Sequence, residues 1–104
     1  MAMNKILDGN ADVNTVFCGC DVIGIGAMEA IIQRGLRIPE NIRVAAYDDI
    51  DFAAYLRVPL TTVRQPKYAI GSKGTELLIE KITRRSDEVH HLVLTPELVI
   101  RMST

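Results

Sequence analysis

Three carboxylates crowd into "VAAYDDIDFAAYL" (Val44 to Leu56), where Asp48, Asp49 and Asp51 follow an apolar run. A carboxylate at a strand end can act as an acid or base, clamp paired hydroxyls through two in-plane hydrogen bonds, or cap backbone amides. A further acid, Asp21, closes "FCGCD" behind Cys18 and Cys20. In an open parallel sheet, ligands bind outside the carboxyl ends of the strands. If these two strands are neighbours, Cys20, Asp21, Asp48 and Asp49 line one crevice. Alternation along a strand turns Asp48 and Asp49 in different directions. Asp48, first off its strand, is the expected ligand contact, with Cys20 and Asp21 opposite. Taken singly, Asp21, Asp49 and Asp51 read better as turn or helix-cap carboxylates.

Catalysis finds little support in the residue types. No Ser-His-Asp constellation is evident, because His90 and His91 sit late in the chain in an expected strand. "GIGAME" holds a G-x-G, but inside a helix and without the third glycine of a dinucleotide fingerprint. An acidic pair could hold magnesium for phosphoryl transfer to aspartate. That chemistry wants a lysine at a later strand end, and Lys5, Lys67, Lys73 and Lys81 all fall in helices or at their starts. Cys18 and Cys20 stand too close in sequence for a good disulfide and lack a second pair for zinc. They read as reduced, partly buried thiols, both on one face of a strand. No catalytic residue, metal or cofactor is implied.

The elements that would position these groups are legible from periodicity. Met3, Ile6 and Leu7 recur at helical spacing until Asp8-Gly9-Asn10 stops them. "NTVFCGC" reads as a short buried strand ending at Gly19. Asp21 can cap "VIGIGAMEAIIQR", which Gly35 closes. "IPE" is a turn and Ile42–Tyr47 the next strand. This strand–helix–strand unit requires parallel strands joined by a right-handed crossover. Its helix is apolar nearly all round, so it should be buried on two sides. One side covers the sheet; the other meets a second subunit or another helix of the same chain. "VPLTTVRQP" is extended between Pro59 and Pro66. "KYAIGSKGTELLIEKITRR" is an amphipathic helix with Ile70, Gly74, Leu77, Leu78 and Ile82 on its apolar stripe. "HHLVLTPELVIR" reads as two short strands around Thr95-Pro96.

The 104 residues suit a single domain, and 48% hydrophobic residues argue against disorder. Twelve basic residues against thirteen acidic ones, widely dispersed, leave no footprint for nucleic acid or a membrane surface. "MAMNKILDGN" has no apolar signal core, and no stretch reaches the length of a membrane span. A cytoplasmic setting is expected.

The linked motifs resemble the LacI/GalR family of bacterial transcription regulators. The match runs from about Val13 to the C-terminus, through "VFCGCDVIGIGAMEAIIQRGLRIPENIRVAAYDDIDFAAYLRVPLTTVRQP" and "ELVIRMST". The resemblance implies the C-terminal part of an effector-binding core: an α/β, parallel-sheet, three-layer lobe of a periplasmic-binding-protein-like fold, here incomplete. Residues of about 13–64 and 94–104 would form the C-terminal lobe, and about 65–93 would cover an N-terminal lobe absent from this chain. Asp48 matches the effector-contacting aspartate, and Ile25, Met28, Tyr55 and Leu56 match a dimer-forming surface. Two departures stand out. Cys20 replaces the usual effector-binding asparagine, and Ala46 replaces the glycine before the aromatic, where its methyl should trim the pocket.

The expected role is therefore effector binding, of a sugar or sugar-like molecule, together with dimerisation in a DNA-binding regulator. Operator DNA would be reached only through a headpiece absent from this chain. The alternative is the C-terminal part of a periplasmic sugar-binding protein of a transporter. Without cover for its apolar stripe, the chain alone should form a homodimer or a domain-swapped oligomer.

Overall fold

The computed structural model describes residues 2–10, 12–84 and 88–104. Its elements run α1 (Ala2–Gly9), β1 (Thr15–Phe17), α2 (Asp21–Gln33), β2 (Arg43–Asp48), a 3-10 turn (Asp51–Ala54), β3 (Thr61–Arg64), α3 (Lys67–Arg84) and β4 (Glu97–Val99). They divide into two compact units, Met1–Arg64 with Leu98–Thr104, and Gln65–Glu97.

The first unit is an α/β lobe whose sheet has the order β1-β2-β3-β4. β1 and β3 both run parallel to β2, with Val16 opposite Val44 and Ala46 opposite Thr62. Parallel neighbours need a crossover, and α2 supplies it between β1 and β2. Gly35, at φ 73°, ends that helix in the left-handed conformation. Its N–H donates to Ile32 O (2.9 Å), and that of Leu36 donates to Ile31 O (3.2 Å). This doubly bonded glycine stop satisfies two of the last carbonyls and turns the chain back toward β2.

Close approach of helix and sheet explains a second glycine. A methyl on Gly24 would lie 3.1 Å from Ala46 Cβ and 3.2 Å from Leu60 Cδ2. Ala46 is fully buried beneath α2. Its methyl therefore fills the helix–sheet interface and does not trim a ligand pocket, contrary to the expectation from sequence. Around this contact lie Ile31, Ile42, Val44 and Leu60, all fully buried. Each such side chain contributes about 1.5–3 kcal/mol by leaving water.

The outer side of α2 is partly covered by α1, a helix of the same chain, whose Met3 joins the core. Arg34 ties the two helices, donating to Asn4 Oδ1 (3.1 Å) and pairing with Asp8 (2.7 Å). At the amino end of the β2–β3 pair the chain end acts as a wedge. The Ser103 hydroxyl donates to Val44 O (2.6 Å) and accepts from Thr61 N–H (2.8 Å), while the Ser103 carbonyl accepts from Val44 N–H (2.8 Å). Ser103 thus satisfies β2 just before β3 begins.

Two elements depart from the sequence reading. β1 is shorter and lies at the sheet edge, so Phe17 is exposed where a buried strand was expected. Cys18 continues its ladder by one bond, to Ala45 O (2.8 Å), before the chain bends into α2. Cys18 and Cys20 therefore leave the strand and do not share a strand face. Of the two closing strands only Glu97–Val99 forms, and residues 88–96 carry no regular element, His90 and His91 included.

In the second unit, α3 has no buried residue. Ile70, Leu78 and Ile82 of the expected stripe are exposed, and Leu77 is half-buried. The expected helix end at Arg85 lies outside the described residues.

Candidate functional site

The carboxyl ends of β1 and β2 lie side by side, as the parallel register demands. Cys20 caps α2 in extended conformation (φ −154°, ψ 164°) without a side-chain cap bond, and its side chain is half-buried. Cys18 is buried beneath it; burial, with Cys20 nearby adding to the effect, pushes the Cys18 thiol pKa up. A neutral thiol is the resting form there.

Asp21 is not a surface contact. It is the first residue of α2 and fully buried. Its Oδ2 accepts from Ile50 N–H (2.8 Å), and its Oδ1 accepts from the Thr62 hydroxyl. One carboxylate thus joins the start of α2, the segment after β2 and the middle of β3. The expected cap role is replaced by a long-range clamp, because the extended Cys20 turns the next side chain into the helix–sheet seam.

Asp48 ends β2, half-buried, at φ 124°, and Asp49 follows at φ 53°. Two successive non-glycine residues at positive φ are costly for the backbone. Asp49 does more than satisfy local amides. Its Oδ2 meets Arg64 Nε and its Oδ1 meets an Arg101 amino group, each at 2.6 Å. Burial raises the Asp49 pKa, but the two guanidinium groups outweigh it and hold the carboxyl below the usual range. Arg101 also donates to Leu60 O (2.8 Å), and its backbone N–H donates to Thr61 Oγ1 (2.8 Å).

Arg64, Arg101 and Thr62 are therefore supporting residues that sequence reasoning missed. A signal existed for Arg64: once β2 and β3 are parallel neighbours, register sets it opposite Asp48. Nothing local signals Arg101, which lies 52 residues beyond Asp49 in the chain. Among the described residues no three His, Cys, Asp or Glu side chains converge to hold a metal ion. The four lysines all lie in α1 or α3.

The four residues expected at a subunit contact separate. Ile25, Met28 and Leu56 line one shallow groove of about 100 Å³ on the outside of α2. Met28, at 5% exposure, already belongs to the core of the single chain. Tyr55 lies outside that groove and is 85% exposed.

Comparison with known proteins places this geometry. Residues 3–104 match the periplasmic binding protein-like domain. The HTH-type transcriptional repressor PurR of Pasteurella multocida is 43% identical over 97% of this chain and 30% of its own length. The ribose operon repressor of Haemophilus influenzae is 39% identical over 99% of this chain and 31% of its own. Among solved structures, a transcriptional regulator CelR–cellobiose complex superposes with a TM-score of 0.94 at 36% identity, over 99% of this chain and 32% of that one. A LacI family transcriptional regulator from Enterococcus faecium with bound ribose gives 0.86 at 29% identity, over 98% and 37%. The chain spans about a third of the length of the relatives it matches.

Proposed function

The chain belongs to the LacI family of transcription regulators, within the periplasmic-binding-protein-like domain, and from that premise we propose that it supplies the C-terminal half of an effector site together with a dimer contact. The effector is a sugar or sugar-like molecule. The observation that carries this reading is the placement of Asp48: a half-buried residue at the carboxyl end of β2, whose parallel neighbour β1 leads to Cys20 at the start of α2. A carboxylate there accepts two hydrogen bonds from neighbouring hydroxyls in a fixed plane. The neighbouring Asp49 carries its charge against two arginines.

Cys20 gives this site its own character. A thiol is a weak hydrogen-bond donor and acceptor, so it contacts a sugar face without the two-sided bonding of an amide. Asp48 then carries most of the polar recognition on this side of the cleft. Asp21, enclosed as it is, contributes from beneath. Regulatory action follows from differential binding: an effector between two lobes favours one lobe arrangement and so one spacing of DNA-binding headpieces. In the complete cytoplasmic regulator, operator DNA is contacted by segments outside these 104 residues. The regulator names of the relatives support this reading over that of a transporter's sugar receptor.

Dimerisation uses the outer side of α2 and the end of the 3-10 turn that follows β2, where Ile25, Leu56 and Tyr55 offer apolar surface around the buried Met28. Saturation-transfer NMR with D-ribose and cellobiose tests the effector half of the proposal. Millimolar binding to the wild-type chain, abolished by Asp48→Ala, is expected. Equal transfer in wild type and variant would contradict it. Micromolar affinity for this chain alone would contradict the half-site.

A further inference from the structure

The acid cluster at the strand ends has one fully buried member, Asp21, whose carboxylate accepts from the segment that follows Asp48. Resting on the effector-site reading above, we infer that Asp21, acting with Thr62, is the positioning residue that aims the Asp48 carboxylate into the cleft.

Asp48 and Asp49 both adopt positive φ, at 124° and 53°. Side chains disfavour that conformation, which persists only where the surroundings over-determine it. The segment is held from beneath at two points. Asp21 Oδ2 accepts from Ile50 N–H (2.8 Å), and the Thr62 hydroxyl accepts from Asp49 N–H (3.4 Å). Thr62 in turn donates its proton to Asp21 Oδ1. A single buried unit therefore holds two successive amides just after Asp48.

The chemistry of the pair fits this task. Both residues are fully buried, and a buried carboxylate keeps its charge only with donors on its oxygens. Asp21 has two, from different elements. The Thr62 hydroxyl can accept from Asp49 N–H only if its own proton points elsewhere, and Asp21 takes that proton. The direction of each bond is thus set, and with it the peptide planes that follow Asp48. Arg64 and Arg101 hold Asp49 from the solvent side by its carboxylate. They restrain its side chain, whereas Asp21 and Thr62 restrain the backbone that aims Asp48.

The test uses isotope-labelled 104-residue chain and two readouts. The first is the strong intraresidue amide–Hα NOE that reports positive φ at Asp48 and Asp49, with no ligand present. The second is the shift of the Asp48 amide on adding D-ribose. Thr62→Ser keeps the hydroxyl and should retain both. Thr62→Val and Asp21→Asn should each lose the paired NOEs and the ribose-dependent shift while the dispersed core methyl signals of Ile31 and Leu60 persist. Unchanged NOEs in Thr62→Val and Asp21→Asn would overturn the inference. Global unfolding of both would also overturn it, since the pair would then be a requirement of the fold. If ribose shifts no amide in the wild type, the effector reading falls, while the NOEs still decide whether Asp21 and Thr62 set the geometry of Asp48.

Discussion

At the residue scale, Asp48 and Asp49 are adjacent carboxylates that both adopt positive φ. Asp48 holds its conformation against backbone preference. Asp48→Gly removes both carboxylate and backbone cost, whereas Asp48→Ala removes the carboxylate alone. The glycine variant should therefore be more stable than the alanine one by about 1 kcal/mol or more, read from urea midpoints. Equal stability would mean that the positive φ carries no strain. Asp49 makes a pH-dependent contribution. Its folded pKa is lowered from 3.8 because Arg64 and Arg101 outweigh the effect of burial. A depressed carboxylate stabilises the fold above its unfolded-state value, and that stabilisation is lost as pH falls through the folded value. Asp49→Asn should cost about 2 kcal/mol near neutral pH and progressively less at pH values below 3.8. A loss that is constant across the acid range would contradict the assignment.

At the element scale, the seam between α2 and β2 is set by two small residues. Gly24 and Ala46 face each other so closely that a methyl on the glycine would meet Ala46 Cβ at 3.1 Å. Gly24→Ala gains helix propensity, about 1 kcal/mol, but crowds the seam at about 1–3 kcal/mol. Combining it with Ala46→Gly should recover about 1 kcal/mol relative to additivity, which a double-mutant cycle measures. Strict additivity would mean that the two positions do not touch. This seam also shows what sequence could and could not tell. The helix, its glycine stop at Gly35 and the following strand were legible from periodicity and turn chemistry, which are local. Alanine at position 46, in place of the family's glycine, was read as a pocket change, because whether a strand residue faces helix or cleft depends on its pairing. β1 likewise looked buried because its residues are apolar; its edge position is a property of the sheet.

For the whole molecule, what was hidden is what lies far apart in the chain. The candidate site draws Asp21, Asp49, Thr62 and Arg101 together from four separate segments, and only the parallel sheet makes them neighbours. The same scale explains the surface. α3 buries none of its residues, and Ile70, Leu78 and Ile82 remain in water. At about 25 cal/mol per Å², such exposure adds up to a sizeable part of the 5–15 kcal/mol that holds a typical domain together. The chain alone should therefore self-associate at micromolar concentration. Light scattering should show oligomers that the triple change Ile70→Ser, Leu78→Ser, Ile82→Ser shifts toward monomer. A well-folded wild-type monomer would contradict this.

The ends of β1 and β2 are proposed above as the effector-contacting side of this lobe. Mapping amide shifts of the labelled chain on titration with cellobiose and D-ribose tests it most directly. Perturbations centred on Cys20, Asp48 and Asp49, absent in Asp48→Ala, are the expected result. Perturbations confined to α3, to the groove beside Met28, or to no residue at all would contradict it.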